Sequence, residues 1–180
     1  AVNELSNCDL IIDASASTNS FNMVSSISTK HMKPLVWLEV FAGGIGGLIA
    51  RSRPKLDPPA LHGRNQINNW CDRQGIDWIN SSKNDYELSG NKELPFVADD
   101  AEVSIIASHA ARYAIDILSS NDDSIFPHSA YLIGLKNEWA FSQPFVTHPI
   151  ELVNEGEWGM KSEDLTVVQK QEILALLQSQ

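Results

Sequence analysis

Cysteine is scarce in this chain, with Cys8 and Cys71 the only two among 180 residues. No CxxC pair exists, so a thiolate zinc knot is excluded, and two thiols in so long a chain do not make a disulfide scaffold. A reducing compartment is therefore expected. Positive charge is short as well: 13 Lys and Arg stand against 23 Asp and Glu, for a net charge of −10. That balance repels phosphate backbones and anionic lipid, which argues against nucleic acid and membrane surfaces as partners. No apolar run approaches the ~20 residues that a bilayer requires. The opening AVNELSNCDL has neither the basic start nor the apolar core of a signal peptide. A cytoplasmic protein is the expectation. The five histidines, His31, His62, His109, His128 and His148, show no HxxxH-type spacing, so no metal centre is expected of them. A GxSxG elbow is also absent, which leaves a serine hydrolase without support.

What remains is the composition of an ordinary folded chain, 43% hydrophobic and 20% charged, with ample length for a buried core. Leu10-Ile11-Ile12 is a short apolar run of the kind found in strands buried on both faces. Ser17, Thr18 and Asn19 are suited to cap a helix whose apolar positions Phe21, Val24 and Ile27 recur at helical spacing, and Lys33-Pro34 ends it. Residues 35–41, LVWLEVF, read as a strand. Strand, helix and strand in this order predict a βαβ unit with a parallel pair. Residues 54–95 hold four prolines and many Asn, Asp and Ser, and read as one long irregular segment. Asp99 and Glu102 then form a capping-box pattern ahead of a helix with Val103, Ala107, Ala110, Ala114 and Ile117 on one side. Residues 131–135 and 144–150 are strand candidates, and Pro144 and Pro149 make the second an edge strand or a clamp and not a central strand. A last helix is predicted from about Thr166 to Leu177.

Candidate chemistry is sparse. The run Gly43-Gly44-Ile45-Gly46-Gly47 lacks GxGxxG spacing, no Lys-Ser or Lys-Thr follows it, and the next segment is strand-like. It reads as a hairpin turn, with residues 48–53 returning antiparallel to 35–41 and Arg51 and Arg53 on a solvent face. Asp13 stands just past the first strand, where open α/β sheets place ligand contacts. It either orients a ribose or magnesium there or caps its own loop. Cys71 lies in the irregular segment near His62, Arg64 and Arg73. It is either a nucleophile with a lowered pKa or an inert thiol packed beside Trp70. Cys8, beside a strand, reads as core.

The segments DLIIDASAS, PLVWLEVFAGGIGGLIARSRP and ADDAEVSIIASHAARYAIDIL, in that order within residues 8–152, resemble the second half of the adenylating domain of ThiF/MoeB/HesA proteins, the family of ubiquitin-activating enzymes. The section SAYLIGLKNEWAFSQPFVTHPIEL looks like the closing strands of a prokaryotic subgroup fused to conjugating-enzyme-like domains. The resemblance implies an α/β fold: the C-terminal half of a Rossmann-like domain, a mixed sheet with a β-hairpin, a long crossover loop and flanking helices. Residues 1–152 would form that half, with the crossover loop at about 54–95, and residues 153–180 a helical extension. The implied enzyme uses ATP and magnesium to adenylate the C-terminal glycine of a ubiquitin-like or sulfur-carrier protein, and needs no zinc in this chain. The family's thioester cysteine sits in the crossover loop, which implies that role for Cys71. Of the family pattern D-x-x-x-D-x-x-D-N, Asp9 and Asp13 match the first two acids, which implies cofactor contact by Asp13. Ala16 and Ser17 stand in the final pair, so the acid most tied to adenylation is missing. The nucleotide glycine motif belongs to the family's first half, which is expected upstream of Ala1. A non-catalytic scaffold that dimerises or docks a ubiquitin-like partner is the alternative. A nicotinamide-dependent oxidoreductase fragment shares the fold class but accounts for neither the hairpin nor the late helix.

Overall fold

The computed structural model describes residues 2–75, 98–119 and 124–159. In chain order the elements are α1 (Val2–Asn7), β1 (Ile11–Asp13), α2 (Thr18–His31), β2 (Leu35–Val40), β3 (Gly46–Ser52), α3 (Ala60–Arg73), α4 (Asp100–Ser119), β4 (Ala130–Gly134) and β5 (Thr147–Ile150). The strands form one five-stranded sheet in the order β1-β2-β3-β4-β5. β1 pairs parallel with β2, Ile12 opposite Val36, and every later pair is antiparallel. The fold is α/β, a mixed open sheet flanked by helices.

Alternation along the strands sorts the core into two layers. Leu35 and Trp37 of β2, Leu48 and Ala50 of β3 and Leu132 of β4 face α2 and α3, meeting Phe21, Val24, Ile67 and Cys71. Val36, Ile49 and Ile133 face the other way, against Ile106, Ala110 and Tyr113 of α4. Ser17 caps α2, its hydroxyl accepting from the Ser20 N–H at 3.3 Å. Asp99 and Glu102 make the reciprocal capping box at the start of α4, both bonds at 2.9 Å. The glycine run is a turn, with Gly43 and Gly44 at φ 69° and 65° between antiparallel β2 and β3.

Three expectations are corrected. Residues 60–73 are helical, not irregular. Pro58 and Pro59 precede the first turn, where a proline costs no hydrogen bond, and Ala60, Gly63, Ile67 and Cys71 form its buried stripe. The strand β1 is buried on one face only: Ile11 is in the core, but Ile12 is 54% exposed, because α4 covers β2 and β3 and stops short of β1. Arg51 is not on a solvent face. It is 1% exposed and lies beneath α4, where the Asp116 carboxylate receives it at 2.8 Å. The expected helix at 166–177 and most of the second part of the 54–95 segment lie outside the described residues. No helix among the described residues is long and apolar enough to cross a membrane.

Candidate functional site

The parallel pair β1 and β2 ends at Asp13 and Val40, and the chain leaves β1 through a short turn into α2. A cleft of about 190 Å³, counted with its open mouth, lies at this end of the sheet. Asp13, Ala16, Ser17, Phe21, Trp37, Leu38, Glu39 and Arg64 line it. Its placement follows from the backbone: carboxyl ends of parallel strands and the positive end of a helix point to the same space.

Asp13 is buried, and its Oδ1 accepts from the Ser15 N–H at 3.0 Å and the Ser15 hydroxyl at 2.6 Å. That Asx-type turn fixes the carboxylate at the strand end and starts the approach to α2. Ala16 follows at φ 52°, a left-handed conformation that costs a residue with a Cβ roughly 1–2 kcal/mol. Arg64 of α3 donates from Nη2 to Glu39 Oε1 at 2.8 Å and lies 4.4 Å above the Phe21 ring. Phe21 in turn meets Trp37 edge-on at 5.5 Å. Trp37 is 1% exposed, yet its indole N–H has no hydrogen-bond partner among the described residues. A buried donor left so costs about 1–3 kcal/mol.

ATP with magnesium does not fit this cleft as a whole. Beyond its open mouth the cleft has room for about one water-sized group, and among the described residues no three His, Cys, Asp or Glu side chains converge as metal ligands. Asp13 suits a single contact to such a group. The cradle for the phosphates is not found among the described residues, and the glycine turn does not supply it. A Cβ on Gly44 would overlap the Glu102 carboxylate, which packs flush on that turn and pairs with Lys136 at 2.7 Å. Lys136 also donates to the Gly43 carbonyl. The space above the turn is filled by an internal anion.

Cys71 is not in a loop beside cations. It is fully buried on the core face of α3, and burial, with Asp72 and Glu39 adding negative potential, pushes its thiol up to about 12. At neutral pH it is a protonated packing group, which is the opposite of an activated nucleophile. Cys8 is half-buried and donates to the Leu5 carbonyl at 3.1 Å. The structure thus brings Asp13 into the cleft and leaves Cys71 in the core behind it. It adds Trp37 and Glu39, which reading the sequence did not single out, and pairs Arg64, read there only as a cation near Cys71, with Glu39. One signal was present: Glu39 is the lone charge in an otherwise apolar strand and stands near its carboxyl end. No protein-family model matches the chain, and no curated protein matches it.

Proposed function

We propose that this chain is the C-terminal half of a Rossmann-like activating domain of the ThiF/MoeB/HesA type, completed by a nucleotide-binding half that adds to the free side of β1. The intact enzyme adenylates the C-terminal glycine of a ubiquitin-like or sulfur-carrier protein, ATP with magnesium supplying the phosphoanhydride that activates the carboxylate. This half alone is inactive.

One observation carries the reading: among the described residues β1 is a parallel edge strand with Asp13 at its carboxyl end. The Ile11 N–H donates to the Pro34 carbonyl at 3.0 Å, so on a parallel ladder the Ile12 N–H and C=O point to the other side. Among the described residues no strand pairs there, and the Ile12 side chain is uncovered on the α4 face. Parallel strands are ordinarily covered on both faces. A strand added beside β1 would bring its own carboxyl end, and any ligand held there, next to Asp13 and the start of α2. Transfer of the acyl group to Cys71 as a thioester requires α3 to open and release a core thiol. Transfer to a sulfur elsewhere requires no such opening.

A non-catalytic docking module is the second reading, favoured by Ala16. The left-handed position that an Asp would tolerate better holds a methyl group with no metal-binding capacity. The test is ATP–pyrophosphate exchange by the product of the whole reading frame, with ubiquitin-like proteins ending in a free glycine. Exchange that requires such a protein and is lost in Asp13→Ala supports the activator. Absence of exchange with every such protein leaves the docking module.

A further inference from the structure

The geometry points to the outer flank of α4 as a self-complementary surface that takes α4 of a second copy of this chain, running antiparallel. Val103, Ala107, Ala111 and Ile115 stand at every fourth position, and all four are exposed, Val103 at 42% and Ile115 at 64%. Residues four apart form a continuous ridge along a helix, here about 18 Å long and without a polar side chain. The core contacts of α4 are made instead by Ile106, Ala110 and Tyr113. Its charged groups are placed elsewhere too. Asp100 is in the first turn, ahead of the ridge, Glu102 pairs with Lys136, Asp116 pairs with Arg51, and the Arg112 guanidinium lies 5.2 Å from the Phe126 ring. The neighbouring row begins with Ser104 and Ser108, and the Ser108 hydroxyl donates to the Ser104 carbonyl at 2.7 Å. That hydroxyl is satisfied within the helix and can be covered without losing a partner.

The spacing singles out a copy of the same helix as the occupant. Large, small, small, large reads the same from either end. Turned end for end about an axis beside residue 109, Val103 meets Ile115 of the other copy and Ala107 meets Ala111, each pair occurring twice. The alanines let the two backbones approach closely where they cross, and the larger ends close over the gap on each side. In the antiparallel arrangement the first turn of each helix lies by the last turn of the other, so the helix dipoles attract. A net charge of −10 makes two copies repel at long range, and this ridge brings no charged side chain to the contact. Two crossed helices bury on the order of 1,000 Å² in total, the low end of specific interfaces. A reversible dimer follows, with a dissociation constant of roughly 1–100 µM. The contact uses neither the cleft nor the β1 edge, so it does not rest on the activator reading.

The test is sedimentation velocity of the 180-residue chain over about 1–300 µM, which brackets such a constant. The wild type should pass from monomer to dimer, and more salt should strengthen the dimer, because the contact is apolar and the repulsion ionic. Ala107→Glu and Ala111→Lys each put an unpaired charge in the contact and should each raise the dissociation constant about 100-fold or more. Both sites are exposed and both new residues form helix well, so thermal melting by circular dichroism should match the wild type. Mixing the two variants should restore a dimer, since the introduced carboxylate then faces the introduced ammonium. Val103→Ser combined with Ile115→Ser removes the large ends and should also leave a monomer. Where either charged variant melts early, the serine pair decides. A wild type that stays monomeric throughout, a dimer that survives the ridge variants or weakens with salt, or a mixture that stays monomeric overturns the assignment.

Discussion

Arg51 offers the sharpest test of how this fold is held together. It is 1% exposed on β3 and donates to four groups: Asp116 Oδ2 at 2.8 Å, Ser124 Oγ at 2.8 Å, the Phe126 carbonyl at 2.9 Å and Ser129 Oγ at 3.3 Å. Its guanidinium also lies 4.7 Å from the Tyr113 ring centre. Replacing it with Met fills the volume but leaves Asp116 buried without its cation, a change that costs about 3–5 kcal/mol. Against a total stability of about 5–15 kcal/mol, that is a third or more of what holds the chain folded. With a urea slope of about 2 kcal/mol per molar, the midpoint should fall by roughly 2 M. Tryptophan fluorescence and far-UV circular dichroism would both follow it. Adding Asp116→Asn to Arg51→Met should recover about 1 kcal/mol or more, since the buried charge is then gone. Burial raises the Asp116 carboxyl, but hydrogen bonds from Ser124 and the Ile125 N–H, with the Arg51 charge, outweigh it and hold the net pKa below the ordinary value. That contribution is present above the unfolded pKa of about 3.9 and is lost as pH falls through the folded value. Wild type should therefore lose stability below about pH 4 more steeply than the Asp116→Asn variant. A loss under about 1 kcal/mol for Arg51→Met would refute the claim that this network organises α4 and β4 on the sheet.

Three further outcomes follow from the core and the turns. The Cys71 thiol ionises at about 8.5 when unfolded but is held up to about 12 when folded, and burial raises Tyr113 as well. Between those values the unfolded chain binds fewer protons. Stability should thus drop by up to about 1.4 kcal/mol per pH unit above pH 9, and Cys71→Ser should flatten the decline. An equal slope in that variant would rule the thiol out as the cause. Gly44→Ala should cost about 2 kcal/mol or more, because the new Cβ enters the Glu102 carboxylate and φ is 65°; unchanged thermal melting would show that α4 can step aside. Ala16→Asp should cost less than about 0.5 kcal/mol, since Asp tolerates the φ of 52° there. A larger loss would mean that the turn into α2 excludes a carboxylate.

The order of the five strands, of α2 and of α4 was legible because local signals agree with the fold. The Ser17 cap, the Asp99–Glu102 capping box, the apolar run of β2 and the glycine turn each depend on residues within a few positions of one another. Asp13 at the end of β1 was readable for the same reason. The rest depends on distance in the chain. Arg51 looked solvent-facing because alternation along β3 is satisfied by any residue, while its partner Asp116 is 65 positions away. The helix α3 was hidden by composition, as its buried stripe includes Ala60 and Gly63 and more than half of its positions are Gly, Asn, Gln, Asp and Arg with poor apolar periodicity. With α3 unread, Arg64 had no defined direction, and its meeting with Glu39, 25 positions earlier, was invisible.

The two borders of the sheet are unlike. The Gly134 N–H donates to the Val146 carbonyl at 2.8 Å, which sets the ladder so that Pro149, opposite Tyr131, turns its nitrogen outward. That border therefore has a gap in its row of donors and resists an incoming strand, while among the described residues the β1 border has none. Extension of the sheet is thus directional. Copies of this chain meeting border to border would do so through the same strand on each, and such a meeting closes after two instead of running on as a filament.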